Sequence, residues 1–538
     1  MRSRLLLAVV ALACSAIGAS AQAGAAQHQQ QPSTTTATVD FEAVLARRLV
    51  LNSTQGSNDS AAAGEEVSLE SVLDTLQHLL AAPAALNDTF LRAAELGHPL
   101  FWEVVGAARV LAGLDTAGEG AAPGDAASQI AALAAKVAQL PDHLCWPVLR
   151  RIVVGAVVQR RLSQGPLSAA AQAAVTRLFA RLYLLHKQAA GRKGVIDFFH
   201  ASKAGGTTFC QLAKLNGCRT QSFAARRNCL IREFDDVPRW VNHSLHTSLA
   251  PVGLRTPWFA NWGNKARNPV SCRVRKRFAM RRRFNIYANE FSLYGAARAP
   301  RNAHVCPGNL NVLQLRHPHA RLRSHLMWVW ALYDHHFKEQ AAAFFPSHGA
   351  AHWEALMPAA THNYYVRSLL GEAVYYSPPD KLTAAHLASA RLSAAQFDVV
   401  TLLEQPAMND LLYEMAVGWG LGFGDVRART SSAVHDVGRR GLPEAADWAA
   451  MVGRNQLDLE LYRFGAMLAM LDAVMFDVAR AAGLGGGFVA AAVSELNAVT
   501  PGGEEKWEVL GGNGTRAGSC GFVAAYDADV VLPRWLVV

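Results

Sequence analysis

Residues 198 to 209 of this 538-residue chain read FFHASKAGGTTF. Lys203 brings a positive charge, Gly205 and Gly206 let the backbone approach a ligand closely, and Thr207 and Thr208 offer hydroxyl donors. Val195-Ile196-Asp197-Phe198-Phe199 ahead of them reads as a short buried strand, and Thr207 to Leu215 reads as a helix start. A strand–loop–helix turn presents unpaired backbone N–H groups at a helix N-terminus, where the helix dipole adds to them. That grouping suits a phosphate-like anion, and Lys203 can follow charge developing on a transferred group. An ordinary turn with a surface lysine is the plain alternative. The ATP-type loop G-x-x-x-x-G-K-S/T does not fit, because Lys203 precedes both glycines and no Ser/Thr follows it to place magnesium.

A second group lies about a hundred residues on, in NVLQLRHPHARLRSHL. Asn311 to Leu315 is another short strand pattern, ending at Arg316-His317-Pro318, and a helix pattern runs on from Ala320. Arg316 at a strand end suits a second phosphate through its fork of donors, and Ser324 can add a hydroxyl. Between the two groups, Glu290 follows the apolar run of FNIYANEFSLYG and is a candidate general base. His243, His246 and His304 are its rivals, whereas His200 reads as a structural part of the loop.

These groups need a frame. Asp398 to Leu403 is a third strand pattern, preceded by a helical pattern over 382–395, and 456–482 is a long helix candidate. Strands alternating with helices predict an α/β domain with a mainly parallel sheet over residues 191–482. Leu69, Val72, Leu73, Leu76, Leu79 and Leu80 recur at helical spacing, and further Ala/Leu-rich segments predict a separate helical N-terminal region over 67–190. Residues 22–66, rich in Gln, Ser, Thr, Ala and Gly, read as a flexible stalk. The tail, 483–538, carries no assignable pattern.

The loop resembles the phosphosulfate-binding loop of carbohydrate sulfotransferases of the Golgi type, which use 3′-phosphoadenosine 5′-phosphosulfate (PAPS). The usual family form is an apolar strand followed by His-x-Pro-Lys-Thr-Gly-Gly-Thr-Ser/Thr. This chain departs from it at Ser202, where proline is common, and at Ala204, where a hydroxyl residue is common. The later segment resembles the family's 3′-phosphate motif R-D-P-x-x-R-x-x-S through Arg316, Pro318, Arg321 and Ser324, with His317 in place of the aspartate. Weaker likenesses follow at 363–371 and 457–462, so the resemblance spans roughly residues 195–480. It implies a P-loop-like fold and a sulfuryl transfer from PAPS to a glycan hydroxyl with no metal required. Lys203, Ala204, Gly205, Gly206, Thr207 and Thr208 would hold the phosphosulfate, Arg316 and Ser324 the 3′-phosphate, and Lys203 and Glu290 would serve catalysis. A sulfotransferase-like fold that binds glycan or nucleotide without turnover is the alternative.

Composition bounds the partners. A net charge of +10 and a pI near 9.3 favour polyanions. Arg273 to Arg283, RVRKRFAMRRR, carries seven basic residues and can form a rim for an acidic glycan. The N-terminus has the layout of a secretory signal: Arg2 and Arg4, then LLLAVVALACSAIGA, then small residues, giving a signal segment over 1–21. Uncleaved, it would be a membrane anchor. Either way the chain is expected in the secretory pathway, in the Golgi lumen or secreted, away from nuclear nucleic acid. Five sequons, at Asn52, Asn58, Asn87, Asn242 and Asn513, fit that compartment. Seven cysteines follow the signal, an odd number whose pairing sequence does not disclose.

Overall fold

The computed structural model describes residues 39–50, 69–86, 98–115, 125–140, 147–224, 227–249, 266–268, 270–296, 299–345, 347–423, 426–428 and 437–484, together with 491–492, 507–509, 515–516 and 520–524 of the tail. The signal segment, Cys14, Cys145 and the sequons at Asn52, Asn58, Asn87 and Asn513 lie outside them.

Among the described residues, six helices precede the first strand: α1 (Phe41–Val50), α2 (Leu69–Leu86), α3 (Pro99–Leu111), α4 (Ala126–Ala138), α5 (Pro147–Gln164) and α6 (Ala169–Lys193). Ser168 starts α6 by accepting from the Ala171 N–H, and Gly194, at φ 65°, ends it. Helix α1 corrects the expectation of a stalk across 22–66. Phe41, Val44 and Leu45 are buried on one face, and Arg48 donates to Asp477 of the last long helix at 2.8 Å.

The 67–190 region is likewise no separate appendage, since its buried side chains share one core with the sheet. Helix α5 is buried on every side along most of its length, as a central helix should be. Its Arg150 and Arg151 both close on Asp472 of α10 (Gln456–Ala481), at 2.8 and 2.6 Å. Arg151 also donates to the Phe397 carbonyl just ahead of the fourth strand, at 2.7 Å. His186 of α6 accepts from Arg150 and contacts the Ala416 carbonyl, both at 2.8 Å, and burial holds its imidazole down at about 3, so it stays neutral.

The sheet has four parallel strands, β1 (Ile196–His200), β2 (Ile286–Asn289), β3 (Leu310–Leu315) and β4 (Val399–Leu402), in the order β2-β1-β3-β4. All four are wholly buried, as strands covered on both faces must be. Phe198 stacks on Phe209 of α7 (Gly206–Leu215) with ring centroids 3.8 Å apart. On the other face α10 comes so close that a Cβ at Gly465 would lie 2.4 Å from Leu315 Cδ1. The expected α/β class with a parallel, helix-flanked sheet therefore stands. Strand β2 carried no clear strand signal of its own.

Three disulfides join Cys210 to Cys229, Cys218 to Cys520 and Cys272 to Cys306, which fits an oxidising compartment. The second docks part of the tail: Phe522 sits against Gly418, and Lys187 of α6 lies over its ring at 5.3 Å. No described helix is long and apolar enough to cross a membrane. The one described sequon residue, Asn242, already uses its amide nitrogen on the Ala355 carbonyl at 3.2 Å.

Under the sheet, Asp197 of β1 accepts from the hydroxyl of its cross-strand partner Tyr287 at 2.6 Å, and burial pushes its carboxyl up to about 7. A carboxyl raised above its unfolded value keeps a proton that the unfolded chain has lost, so this contribution to stability falls as pH rises from ~4 to ~7. Asp197→Asn keeps the acceptor for Tyr287 and removes the charge. It is expected to unfold later than wild type at pH 7.5, by a margin on the order of 3 kcal/mol that shrinks at pH 5. Unfolding midpoints at the two pH values check this, and an equal gap at both would contradict it.

Candidate functional site

The residues singled out by sequence converge on the carboxyl ends of the strands, where open α/β sheets bind ligands. His200 ends β1, Glu290 follows β2, Arg316 follows β3 and Glu404 lies just beyond β4.

The loop after β1 turns through Lys203 at φ 67° and Gly205 at φ 85°, the left-handed cap residue of α7. Gly205 has no room for a side chain, because a Cβ would lie 2.5 Å from Gln314 Nε2 and 2.7 Å from Leu403. At Gly206 a Cβ would fall 1.9 Å from the His200 ring. Both glycines are thus required by close approach, and His200 packs beneath the loop, stacked on Phe198 at 5.7 Å, as its structural assignment implied. The N–H groups of Gly206, Thr207 and Thr208 form the first turn of α7, where no side chain caps them.

Two contacts from β3 brace this turn. Gln314 Nε2 donates to the Ala204 carbonyl, while its Oε1 accepts from the Tyr413 hydroxyl at 3.0 Å. Arg316 Nη1 donates to the Lys203 carbonyl at 3.2 Å. Tyr365 fixes the Arg316 backbone, accepting from its N–H at 2.9 Å and donating to its carbonyl at 2.7 Å. The Lys203 ammonium lies over the Trp328 ring at 4.4 Å. Trp328 and Ser324 both belong to α9 (Pro318–Phe337), with Ser324 half-buried on its second turn. Thr207 is buried and donates its hydroxyl to Asn228 Oδ1 at 3.0 Å, so its proton is directed away from the cradle. Thr208 is half-buried.

Glu290 is buried beside the loop. Its Oε1 accepts from Ser202 Oγ at 3.0 Å, and its Oε2 lies 3.3 Å from His200 Nδ1, off the line of a hydrogen bond. The rival bases lie elsewhere. His246 packs among Tyr333 and Phe344, with burial holding it down at about 4; His304 bonds the Asn302 carbonyl; His243 is exposed. Arg321 of the second motif is buried, donating to the Ala360 carbonyl at 2.6 Å with its guanidinium 4.5 Å over Tyr364, so it positions α9 rather than facing a ligand. The His317 N–H donates to Oε1 of Glu404, just beyond β4, at 2.8 Å.

The basic segment forms α8 (Cys272–Arg281), and its helical period divides it. Arg275 and Lys276 turn inward, Arg275 onto both oxygens of Asp236 and Lys276 onto the Gly308 carbonyl at 2.6 Å. Burial pulls the Lys276 amine down to about 8. Arg273, Arg281, Arg282 and Arg283 are exposed and Arg277 half-exposed. A cavity of about 260 Å3 lined by Glu354, His362, Asp380 and Arg454 contains none of the loop residues. No group of three or more His, Cys, Asp or Glu among the described residues could hold a metal ion.

No protein-family model, no curated protein and no solved structure matches this chain.

Proposed function

We propose that this chain is a PAPS-dependent sulfotransferase that moves a sulfuryl group to a glycan hydroxyl in the secretory pathway. The carrying observation is the contact between the two motifs. Arg316, 113 residues from Lys203 in sequence, reaches the Lys203 carbonyl, which supports assigning the two motifs to one ligand at the carboxyl ends of the central strands β1 and β3. On this P-loop-like reading the N-terminal amides of α7 with Lys203 cradle the phosphosulfate. Arg316 and Ser324 take the 3′-phosphate. Glu290 takes the proton of the acceptor hydroxyl while its oxygen attacks sulfur, and the phosphate of PAPS leaves with the electrons of the broken S–O bond, its charge met by Lys203. Arg273, Arg277 and Arg281, spaced four apart on α8, supply a basic face for an anionic acceptor.

Two variants separate the roles. Lys203→Ala should lower kcat by ~10²–10³-fold, the scale for losing a donor to developing charge. Arg316→Ala should instead weaken donor binding by ~10–100-fold, the cost of one charge-assisted pair, and should abolish the preference for the 3′-phosphorylated nucleotide over its 3′-hydroxyl counterpart. Calorimetric titration of the folded wild type with PAPS decides first: no binding ends the proposal. Binding without turnover over a glycan panel would favour a non-catalytic binder.

A further inference from the structure

Ser202 stands where the resembled loop carries proline, and the departure creates a junction that proline cannot make. A serine hydroxyl has one proton and two lone pairs. Trp240 Nε1, which can only donate, gives its proton to Ser202 Oγ at 2.8 Å. The Tyr364 hydroxyl accepts from the Ser202 N–H at 3.3 Å and donates to Ser202 Oγ at 2.9 Å. Both lone pairs are then used, so the one remaining proton goes to Glu290 Oε1 at 3.0 Å. The direction of every hydrogen is fixed by what Trp240 and the carboxylate are able to do. All four side chains are buried, with Ser202 at 0% exposure and Glu290 at 6%, so bulk water does not substitute for any partner.

Resting on the sulfotransferase reading, we infer that Ser202 is a positioning residue, which holds the Glu290 carboxylate in place and ties it to the cofactor loop through the adjacent Lys203. Two donations into Oγ polarise its O–H and strengthen its bond to the carboxylate. Because Ser202 and Lys203 are neighbours in one turn, a shift of the loop on filling is passed directly to the base. Tyr364 adds a link to the second motif, since its neighbour Tyr365 clamps the Arg316 backbone.

The experiment has a ligand-free arm and an activity arm. In the first, wild type, Ser202→Ala, Glu290→Ala and the double variant are unfolded by denaturant. Non-additive effects are expected, as for groups sharing one buried network. Additive effects would overturn the inference whether or not the protein is an enzyme. In the second, Ser202→Ala should keep PAPS affinity within about threefold while kcat falls roughly tenfold, because the base has lost the donor that fixes its position. Ser202→Thr, which restores the hydroxyl, should return kcat to within about threefold of wild type; a kcat unmoved in Ser202→Ala refutes the role. A wild type that couples Ser202 to Glu290 in the first arm but transfers no sulfuryl group would instead sink the sulfotransferase reading, and the catalytic role with it.

Discussion

Asp472→Ala should cost about 3–5 kcal/mol of stability, the largest effect expected of any single change in the fold. Asp472 is 1% exposed and is the shared carboxylate of Arg150 and Arg151, themselves 4% and 0% exposed. Removing it leaves two guanidiniums buried side by side without their shared carboxylate, which burial and mutual repulsion both penalise. A typical domain has only ~5–15 kcal/mol in total. The variant should therefore unfold at much lower denaturant or fail to accumulate, and Asp472→Asn, which keeps an acceptor, should fall between. Asp115, paired with Arg109 at 2.7 Å but 41% exposed, is the matched control; there alanine should cost at most ~1 kcal/mol. Comparable midpoints for the two alanine variants would show that the buried clamp is hydrated and contributes little. The clamp bears on the site because Arg151 also holds the carbonyl ahead of β4, the strand that delivers Glu404 to the second motif.

That clamp marks the limit of what sequence patterns disclose. The strands at 196–200, 310–315 and 399–402 and the helix over 456–481 were legible, because short β-branched runs and an unbroken helical period are local signals. So was the loop, whose lysine, glycines and threonines are contiguous. Helix α1 was masked by the polar composition around it, although Phe41, Val44, Leu45 and Arg48 share one helical face. The N-terminal helices looked detachable because the ties that bind them, Arg150 and Arg151 to Asp472, span more than 320 residues. The same holds at the site. Ser202 and Ala204 looked like losses when compared with a motif, yet Trp240 and Tyr364 reach Ser202 from 38 and 162 residues away, and Gln314 reaches the Ala204 carbonyl from 110. Spacing shows which residues are close along the chain; a hydrogen-bond junction assembled from four elements leaves no spacing to read. The basic run shows a related limit, since the helical period turns two of its seven cations into the interior and composition does not say which.

Glu290→Gln should abolish most turnover, by ~10²–10⁴-fold in kcat, with donor binding unchanged. The substitution suits this site because glutamine has nearly the shape of glutamate. Its carbonyl oxygen can still accept from Ser202, so Trp240 and Tyr364 keep their partner and the loop keeps its brace. Only the ability to take a proton is removed. Glu290→Ala would be a poorer test, because it strips the Ser202 hydroxyl of its acceptor inside a buried cluster and disturbs the cradle as well. Single-turnover rates with PAPS and saturating acceptor, alongside PAPS titration, separate the two effects. A Gln variant within about tenfold of wild type would exclude Glu290 as the base. His200, 3.3 Å from its carboxylate, would then be next in line, although its ring is pinned between Phe198 and Gly206. A large loss with intact binding would place proton removal at the end of β2. Within the four-stranded sheet that is the strand sequence did not announce, and just beyond it stands the carboxylate held by Ser202, the serine that departs from the resembled motif.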